Sequence, residues 1–269
     1  MPSIKELIGI AVLASTCFAS TFTRHSAGGS RGSHLSTSSL SGAVDVAGSG
    51  NILSSSNWAG AVLQSTGVTG VAGTFTVPTP KIPSGGDSTT SYCGCAWVGV
   101  DGELDVCPNG GLIQAGATWC IRGGTPSFYA WFEWWPAQLM MIFDNFSVNA
   151  GDEIQVAVTA TSTTTGNTVL ENLTQGTSIS HTWNTESPAL CKLTAEWIVE
   201  DFTDYYSNGS ISPAPFANYG SVTFTNNSAT VNGASVDVSG AQPANMVVNG
   251  KTVSQSTISN GKVTVTYQG

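Results

Sequence analysis

The sequence predicts an all-β protein, a sandwich or barrel of short antiparallel strands. Thr, Ser, Val and Gly are abundant, with 31 glycines in 269 residues, and no segment beyond the N-terminus has helical periodicity. Strand-like runs recur with turn residues between them. They are Trp58–Gln64, Gly70–Val77, Ala96–Val100, Gly111–Trp119, Ser127–Trp135, Glu153–Ala160, Ser178–Trp183, Ala195–Asp201, Gly220–Thr225 and Lys262–Tyr267.

Breaks between the runs are predicted at residues with turn chemistry. They include Pro78-Thr79-Pro80, Gly85-Gly86, Gly123-Gly124 and Thr165-Gly166-Asn167. We find no internal repeat and no domain boundary after residue 51. A chain of this length is sufficient for one large β domain with a substantial core.

The charge composition restricts the class of partner. Only 9% of residues are charged and the net charge is −9, which argues against nucleic acid because that partner needs a clustered basic surface. A protein with so few charges depends little on salt bridges. Protonating its carboxylates at low pH should therefore remove little stability.

The first 19 residues have the pattern of a secretory signal peptide. Lys5 precedes the apolar run Leu7–Ala14, and small residues follow around Ala19. The run is too short to span a bilayer. We therefore expect cleavage near Ala19, secretion to the extracellular space and no membrane partner.

Residues 20–53 are rich in Ser, Gly and Thr and have little apolar surface to bury, so they should not fold alone. They carry Arg24, His25, Arg31 and His34, whereas the chain from Asn51 onward has five basic and fifteen acidic residues. We interpret the segment as a propeptide that inhibits the acidic body and is released as carboxylates become protonated. A flexible linker without a role is the alternative.

Five cysteines follow the signal peptide: Cys93, Cys95, Cys107, Cys120 and Cys191. Cysteines of a secreted protein can form disulfides, because the secretory route is oxidising. An odd number leaves one cysteine outside any bridge within the chain. Cys107 and Cys120 bracket one strand-like run, so we expect a disulfide between them. Cys191 is then available to Cys93 or Cys95.

The stretch Phe128–Pro136 has one charged side chain, Glu133, among six aromatic residues. Strand alternation places Tyr129, Trp131, Glu133 and Trp135 on one face. A core does not bury a carboxylate cheaply, so an open cleft with aromatic walls is the functional interpretation. A structural Glu that is satisfied by a neighbouring donor is the alternative.

Gln114 interrupts an otherwise apolar strand and is the second candidate. Catalysis by a Ser-His or Cys-His pair would have to use His181, the one histidine after residue 50, and no nucleophile elbow accompanies it. A zinc site is not indicated, because no His/Cys cluster has zinc spacing. We therefore predict no metal and no cofactor. A site must be built from carboxylates, amides, hydroxyls and aromatics, although Gln114 could instead pair only with backbone.

Two further runs supply possible cleft residues. Trp97 and Asp101 share a strand face if regular pairing persists that far. In Ala195–Phe202, Glu196 and Glu200 share one face, and we interpret Glu200 and Asp201 as framework.

Eight segments occur in the order found in the eqolisin family of glutamic peptidases, which the chain resembles from about residue 54 to 230. They are Ser56–Gly60, Gly73–Pro78, Trp97–Gly102, Ile113–Gly116, Tyr129–Pro136, Glu171–Thr174, Ala195–Phe202 and Gly220–Thr225. The tail after residue 230 lies beyond these motifs. The resemblance implies a curved two-sheet antiparallel β-sandwich of the concanavalin A-like lectin and glucanase type, with its active site on the concave face.

The resemblance also implies a catalytic Glu and Gln, which fall on Glu133 and Gln114. The domain at residues 54–269 would then be a secreted acid endopeptidase, insensitive to pepstatin, that acts on proteins or peptides. In this hypothesis Glu133 activates a water held between it and Gln114, and the Gln114 amide stabilises the oxyanion.

The remaining candidates assist that pair. Trp97, Trp131 and Trp135 would form the walls of the cleft, and Asp101 would orient Gln114 or the water. We expect a monomer. Rival hypotheses are a carbohydrate-binding sandwich, a glycosidase that uses Glu133 with Glu196, and a structural β protein.

Overall fold

A computed structural model describes the backbone of residues 41–44 and the residues 52–205 and 211–269. Within these ranges there are 19 strands, one turn of 3-10 helix at Val238–Gly240 and no α-helix. The strands are β1 Ser41–Val44, β2 Ile52–Ser55, β3 Trp58–Gln64, β4 Val68–Thr76, β5 Tyr92–Val100, β6 Leu112–Arg122, β7 Thr125–Trp135, β8 Met141–Ile142, β9 Glu153–Ala160, β10 Gly166–Asn172, β11 Thr177–Trp183, β12 Thr194–Glu200, β13 Thr203–Tyr205, β14 Ile211–Pro213, β15 Ser221–Val231, β16 Ala234–Val236, β17 Gln242–Val248, β18 Lys251–Ser259 and β19 Lys262–Tyr267.

Seventeen strands form one continuous hydrogen-bonded sheet that folds into two layers, and β13 and β14 form a separate two-stranded sheet. One layer, the front sheet, has the order β2-β17-β3-β12-β5-β6-β7-β8, and the other, the back sheet, has the order β18-β19-β15-β4-β9-β10-β11. Pairing of β17 with β18 joins the layers at one edge. All of these pairs are antiparallel except β2 with β17. The predicted all-β, antiparallel sandwich is confirmed.

The core lies between the two sheets and follows strand alternation. On the front sheet, alternate side chains such as Val98 and Ala115 point inward, and on the back sheet Val156 and Phe224 do the same. The opposite side chains of the front sheet form a second apolar cluster that includes Trp58, Trp97 and Trp131. We call this outer side of the front sheet the site face.

Each of the ten predicted runs overlaps a strand, and the limits of β3, β9 and β19 are those predicted. The predicted break at Thr165-Gly166-Asn167 is wrong at its last two residues, because β10 begins at Gly166 and the turn precedes it. The tail after residue 230 contributes strands to both layers. Its strands β17 and β19 pair with β3 and β15.

The predicted bridge between Cys107 and Cys120 is wrong. Cys120 lies directly opposite Cys93 in the β5–β6 ladder, with a Cα–Cα distance of 4.1 Å, and these two residues form a disulfide. Cys107, in the β5–β6 connection, is bonded instead to Cys191, just before β12. Strand register decided the pairing, whereas proximity in sequence suggested the wrong partner. Cys95 is in neither bridge; its buried Sγ–H donates to the carbonyl oxygen of Glu200 at 3.9 Å.

We expect the Cys107–Cys191 bridge to contribute more stability than the other. Its sequence separation is 84 against 27 for Cys93–Cys120, and loop-closure entropy then gives about 4.5 against about 3.5 kcal/mol. The check is the free energy of unfolding in urea for the two double alanine variants. A Cys107–Cys120 peptide in a non-reducing digest would contradict this connectivity.

The predicted signal peptide, residues 1–19, lies outside the described residues, as does most of the predicted propeptide, residues 20–53. Its described parts are β1, which pairs with β2, and the start of β2 itself. Both boundaries stay predictions. Within the described ranges, no helix has the length and apolar character needed to cross a membrane.

Candidate active site

One row of residues across the front sheet holds the candidate chemistry. Directly opposite partners in the ladders are Glu196 with Gly99, Gly99 with Gln114, and Gln114 with Glu133. Residues paired in this way point to the same side of a sheet. Because Ala195 and Trp197 belong to the core, the row Glu196–Gly99–Gln114–Glu133 points to the site face.

Gln114 and Glu133 are in direct contact. The Gln114 Nε2 donates a hydrogen bond to Glu133 Oε2 at 2.7 Å. Gln114 Oε1 is buried and has no hydrogen-bond partner, and the buried Glu133 Oε1 has no well-formed hydrogen bond. The two side chains that the sequence analysis paired are therefore in direct contact, and their catalytic role stays a prediction. A contact this short leaves no room for a water between the bonded atoms, so the predicted bridging water does not fit there.

Gly99 creates a gap in the row on the other side of Gln114. Glu196 and Gln114 are two strands apart, about 9.5 Å from the usual strand spacing, and Gly99 places no side chain between them. A Cβ on Gly99 would lie 2.9 Å from Trp97 Cζ3. The edge of the Trp97 indole and the Leu112 side chain, whose Cδ1 would lie 3.1 Å from that Cβ, therefore line the space above Gly99.

Glu196 has unused hydrogen-bonding capacity. It is completely buried, and neither of its carboxylate oxygens has a well-formed hydrogen bond to the described residues. Burial raises the pKa of Glu196 well above its usual range; the Thr194 hydroxyl opposes this rise, and Asp101 and Glu103 add to it. A buried carboxyl group with so little hydrogen bonding is costly for stability, which makes Glu196 a candidate for function.

The site face is closed, and the predicted open cleft is wrong for this form of the chain. Glu133 and Gln114 are both 0% exposed. Apolar residues outside the central strands pack in the same cluster: Leu53, Met140, Phe202 and Ala214. Burial accordingly raises the pKa of Glu133 well above its usual range, Glu200 raises it further, and hydrogen bonds from Gln114 and the Met140 backbone lower it.

The three predicted wall residues lie on the site face. Trp97 and Trp131 flank Gly116 in the next row and are fully buried. Trp135 pairs with Leu112 and is half-buried against the same cluster. The structure therefore brings these aromatic residues to the candidate pair, and their contact with substrate stays a prediction.

Asp101 does not reach the pair, contrary to the prediction. Strand β5 ends at Val100, and Asp101 has a positive φ of 69°, so strand alternation with Trp97 stops before it. Its Oδ2 accepts the Lys192 N–H at 2.7 Å, and its Oδ1 accepts the Leu193 N–H at 2.7 Å. Asp101 thus fixes the segment that leads into β12.

His181 lies on the core side of the fold, in β11. Its ring stacks on Phe132 with 3.9 Å between centroids, and Phe132 belongs to the core between the sheets. Burial lowers the pKa of His181 to about 4. It is separated from the candidate pair by the front sheet, so it does not act on groups at the site face.

The sequence analysis did not place Glu196 or Glu200 in the predicted peptidase site. Both alternate onto the site face from β12, and Glu200 Oε2 accepts the Trp97 Nε1–H at 2.7 Å. The available signal was the Glu-x-x-x-Glu spacing in a strand, which puts both carboxylates on one face. Their neighbours were not predictable, because β12 lies between β3 and β5, which are distant from it in sequence.

We expect the folded protein to lose stability as pH rises from about 4 to about 7. Burial raises the pKa of Glu133, Glu196 and Asp201, and raises that of Asp204 to about 6. With raised pKa values the native state binds more protons than the unfolded state, so its extra stability is present at low pH and disappears as pH passes the native pKa. Each tenfold change in proton affinity corresponds to about 1.4 kcal/mol.

The measurement is the melting temperature across that pH range, in a Gln114→Ala background to limit self-digestion. We expect a fall of roughly 10 °C or more. Asp204→Asn should flatten the part of the curve around pH 6, the pKa of Asp204. A melting temperature that rises with pH would contradict the assignment.

The described residues thus form a two-layer β-sandwich with a Gln and a Glu side chain in hydrogen-bond contact on one sheet face. Comparison with known proteins gives the family: residues 56–267 match the Peptidase A4 family. The chain belongs to this family, the eqolisins, and is a peptide hydrolase of the glutamic peptidase type.

Individual relatives agree. Aspergillopepsin-2 of Aspergillus niger is 41% identical over 229 residues, covering 79% of this chain and 78% of that protein. Scytalidopepsin B of Scytalidium lignicola is 39% identical over 215 residues, with the same two shares. The structure of scytalido-glutamic peptidase with a transition state analogue inhibitor has a TM-score of 0.70 and 38% identity, and covers 79% of this chain and 98% of that one.

Aspergilloglutamic peptidase from Aspergillus niger has a TM-score of 0.59 and 39% identity, over 66% of this chain and 99% of that one. Because the family is one of peptidases, the sugar-binding, glycosidase and structural hypotheses lose their support.

Proposed function

We propose that this protein is a secreted endopeptidase that hydrolyses peptide bonds at acidic pH with a Glu/Gln pair. The observation that carries the proposal is the row Glu196–Gly99–Gln114–Glu133, in which an uncharged amide lies between two carboxyl groups. An amide does not titrate, and a carboxylate has an ordinary pKa near 4. A Glu/Gln pair can therefore still provide a base and a hydrogen-bond donor in acid, where a histidine base would be charged.

Gln114 has two neighbouring glutamates, and their contacts differ. Glu133 is bonded directly to the Gln114 amide, so it is suited to hold that amide in one orientation. Glu196 faces Gln114 across the gap at Gly99 and has no well-formed hydrogen bond. We assign Glu196 as general base and Glu133 as a positioning residue. The sequence-based assignment of Glu133 as base stays a competing prediction.

The chemical steps follow from these positions. Ionised Glu196 takes a proton from a water in the gap, and the water oxygen forms a bond to the peptide carbonyl carbon. The carbonyl π electrons move to oxygen, and the second Nε2–H of Gln114 donates to that oxyanion. Glu196 then returns the proton to the amide nitrogen, the C–N bond breaks and the two peptides leave.

The closed site face supports the interpretation that the full chain is a precursor. Leu53, inside the predicted propeptide, packs in the apolar cluster of the site face, and β2 pairs with β17 at the edge of the front sheet. Burial raises the pKa of Glu196 well above its usual range and so disfavours the ionised form that a general base needs. Removal of the 20–53 segment after acidification would admit water and lower that pKa.

The test is hydrolysis of a denatured protein by the purified, acid-treated chain at about pH 4, with pepstatin present. We expect new peptide ends from internal cleavage, unaffected by pepstatin. Cleavage abolished by pepstatin, or no cleavage after the leader has been removed, would refute the proposed function.

A further inference from the structure

Glu200 is a completely buried carboxyl group for which the mechanism above has no use. It lies on β12 four residues after Glu196, so both side chains point to the site face. Its Oε2 accepts the indole N–H of Trp97 at 2.7 Å, and its Oε1 accepts the Asn57 side-chain amide at 3.3 Å. Glu200 is therefore fixed at both oxygens and holds one particular ring.

That ring occupies the critical position between the proposed base and the oxyanion donor. The benzene edge of Trp97 lies against Gly99, and Gly99 separates Glu196 from Gln114 in the row. Trp58 packs edge-on against Trp97 with 4.9 Å between ring centroids. The apolar packing restricts the ring, but the bond to Glu200 is the polar contact that specifies how far the ring reaches over Gly99.

We propose that Glu200 is a positioning residue for the reaction, holding the Trp97 indole as the floor on which the scissile peptide bond rests. The inference rests on the proposed function, because it assigns that floor to the gap between Glu196 and Gln114. Loss of the bond lets the ring tilt. Displacing a bound peptide by about 1 Å in a site of this kind lowers turnover about 100-fold.

The alternative is that Glu200 only stabilises the fold. A buried indole N–H without an acceptor costs free energy in any role, so a loss of melting temperature does not distinguish the two roles. A positioning role has three further signatures: the loss falls on kcat more than on KM, a glutamine at this position restores activity, and the effect depends on Trp97.

The experiment is a double-mutant cycle on the acid-processed enzyme, measured well below the melting temperature of every variant. Glu200→Leu removes the acceptor and should lower kcat about 100-fold, and Trp97→Phe, which removes the N–H, should do the same. The kcat of the double variant should lie within about twofold of that of the less active single variant, because the two changes remove the same interaction. Glu200→Gln keeps an acceptor oxygen and should stay within about threefold of the parent.

Glu153→Leu is the matched control, because Glu153 is an exposed glutamate on β9 of the back sheet. It should leave kcat unchanged. Additive losses in the cycle, or a Trp97→Phe enzyme with full kcat, would overturn the inference even if Glu200→Leu fails to fold. Full activity of Gln114→Ala would instead refute the proposed function, so the two failures are distinguishable.

Discussion

Replacement of Glu196 by glutamine should lower kcat by about 10⁴-fold while the protein stays folded. Loss of a general base typically costs 10²- to 10⁴-fold, and we expect the upper end because the same group takes the proton from water and returns it to the leaving nitrogen. Glutamine has nearly the same shape as glutamate but cannot accept the proton. Turnover of a defined peptide by the acid-processed variant measures the loss.

Glu133→Gln is the matched variant for this experiment, since both residues are buried glutamates in one row. If Glu133 orients Gln114, a glutamine that still offers an oxygen to the Gln114 amide should retain activity within about tenfold. Glu133→Leu, which offers no acceptor, should lose more. If the Glu133→Gln enzyme is inactive and the Glu196→Gln enzyme is active, the general base is Glu133 and not Glu196.

Gln114→Ala should lose about 100- to 1000-fold in kcat, the typical effect of removing one oxyanion donor. The amide is held by Glu133 before substrate binds, so it needs no rearrangement when negative charge develops on the carbonyl oxygen. KM should change little, because the interaction strengthens only in the transition state.

The control is Gln64→Ala, which removes an exposed glutamine at the end of β3. Its kcat and melting temperature should match those of the parent. If Gln114→Ala turns over at a near-normal rate, the amide has a structural role and another donor must stabilise the oxyanion.

The architecture was accessible from the sequence because alternation and turn residues are local signals. Runs such as Glu153–Ala160 alternate so regularly that their limits coincide with those of a strand. The partners of each strand were not accessible. β12 inserts between β3 and β5, more than ninety residues away in the chain, and only that insertion places Glu196 in line with Gln114.

The same limitation explains the corrected disulfide, but the correction at Asp101 has a different origin. Cys107 and Cys120 are close in sequence, but ladder register places Cys120 opposite Cys93. Asp101 was expected to continue the face of Trp97, but a left-handed backbone conformation ends β5 one residue earlier. The disulfide pairing depends on how distant segments meet, whereas the end of β5 had a local signal, the turn-forming dipeptide Asp101-Gly102.

Burial also departs from expectation in an informative way. A carboxylate among aromatics indicated an open cleft, whereas Glu133 and Glu196 are covered in the full chain. The two findings agree if the covered form is the precursor, because burial raises the pKa of Glu196 and so disfavours the ionised form that a general base needs.

The most direct test of the account is a crystal structure of the acid-processed enzyme with a peptide-based transition-state analogue. We predict that its tetrahedral centre lies over Gly99 and Trp97, within hydrogen-bond distance of a Glu196 oxygen and of Gln114 Nε2. A tetrahedral centre bound away from Gly99, or bonded to Glu133 with Glu196 still covered, would contradict it.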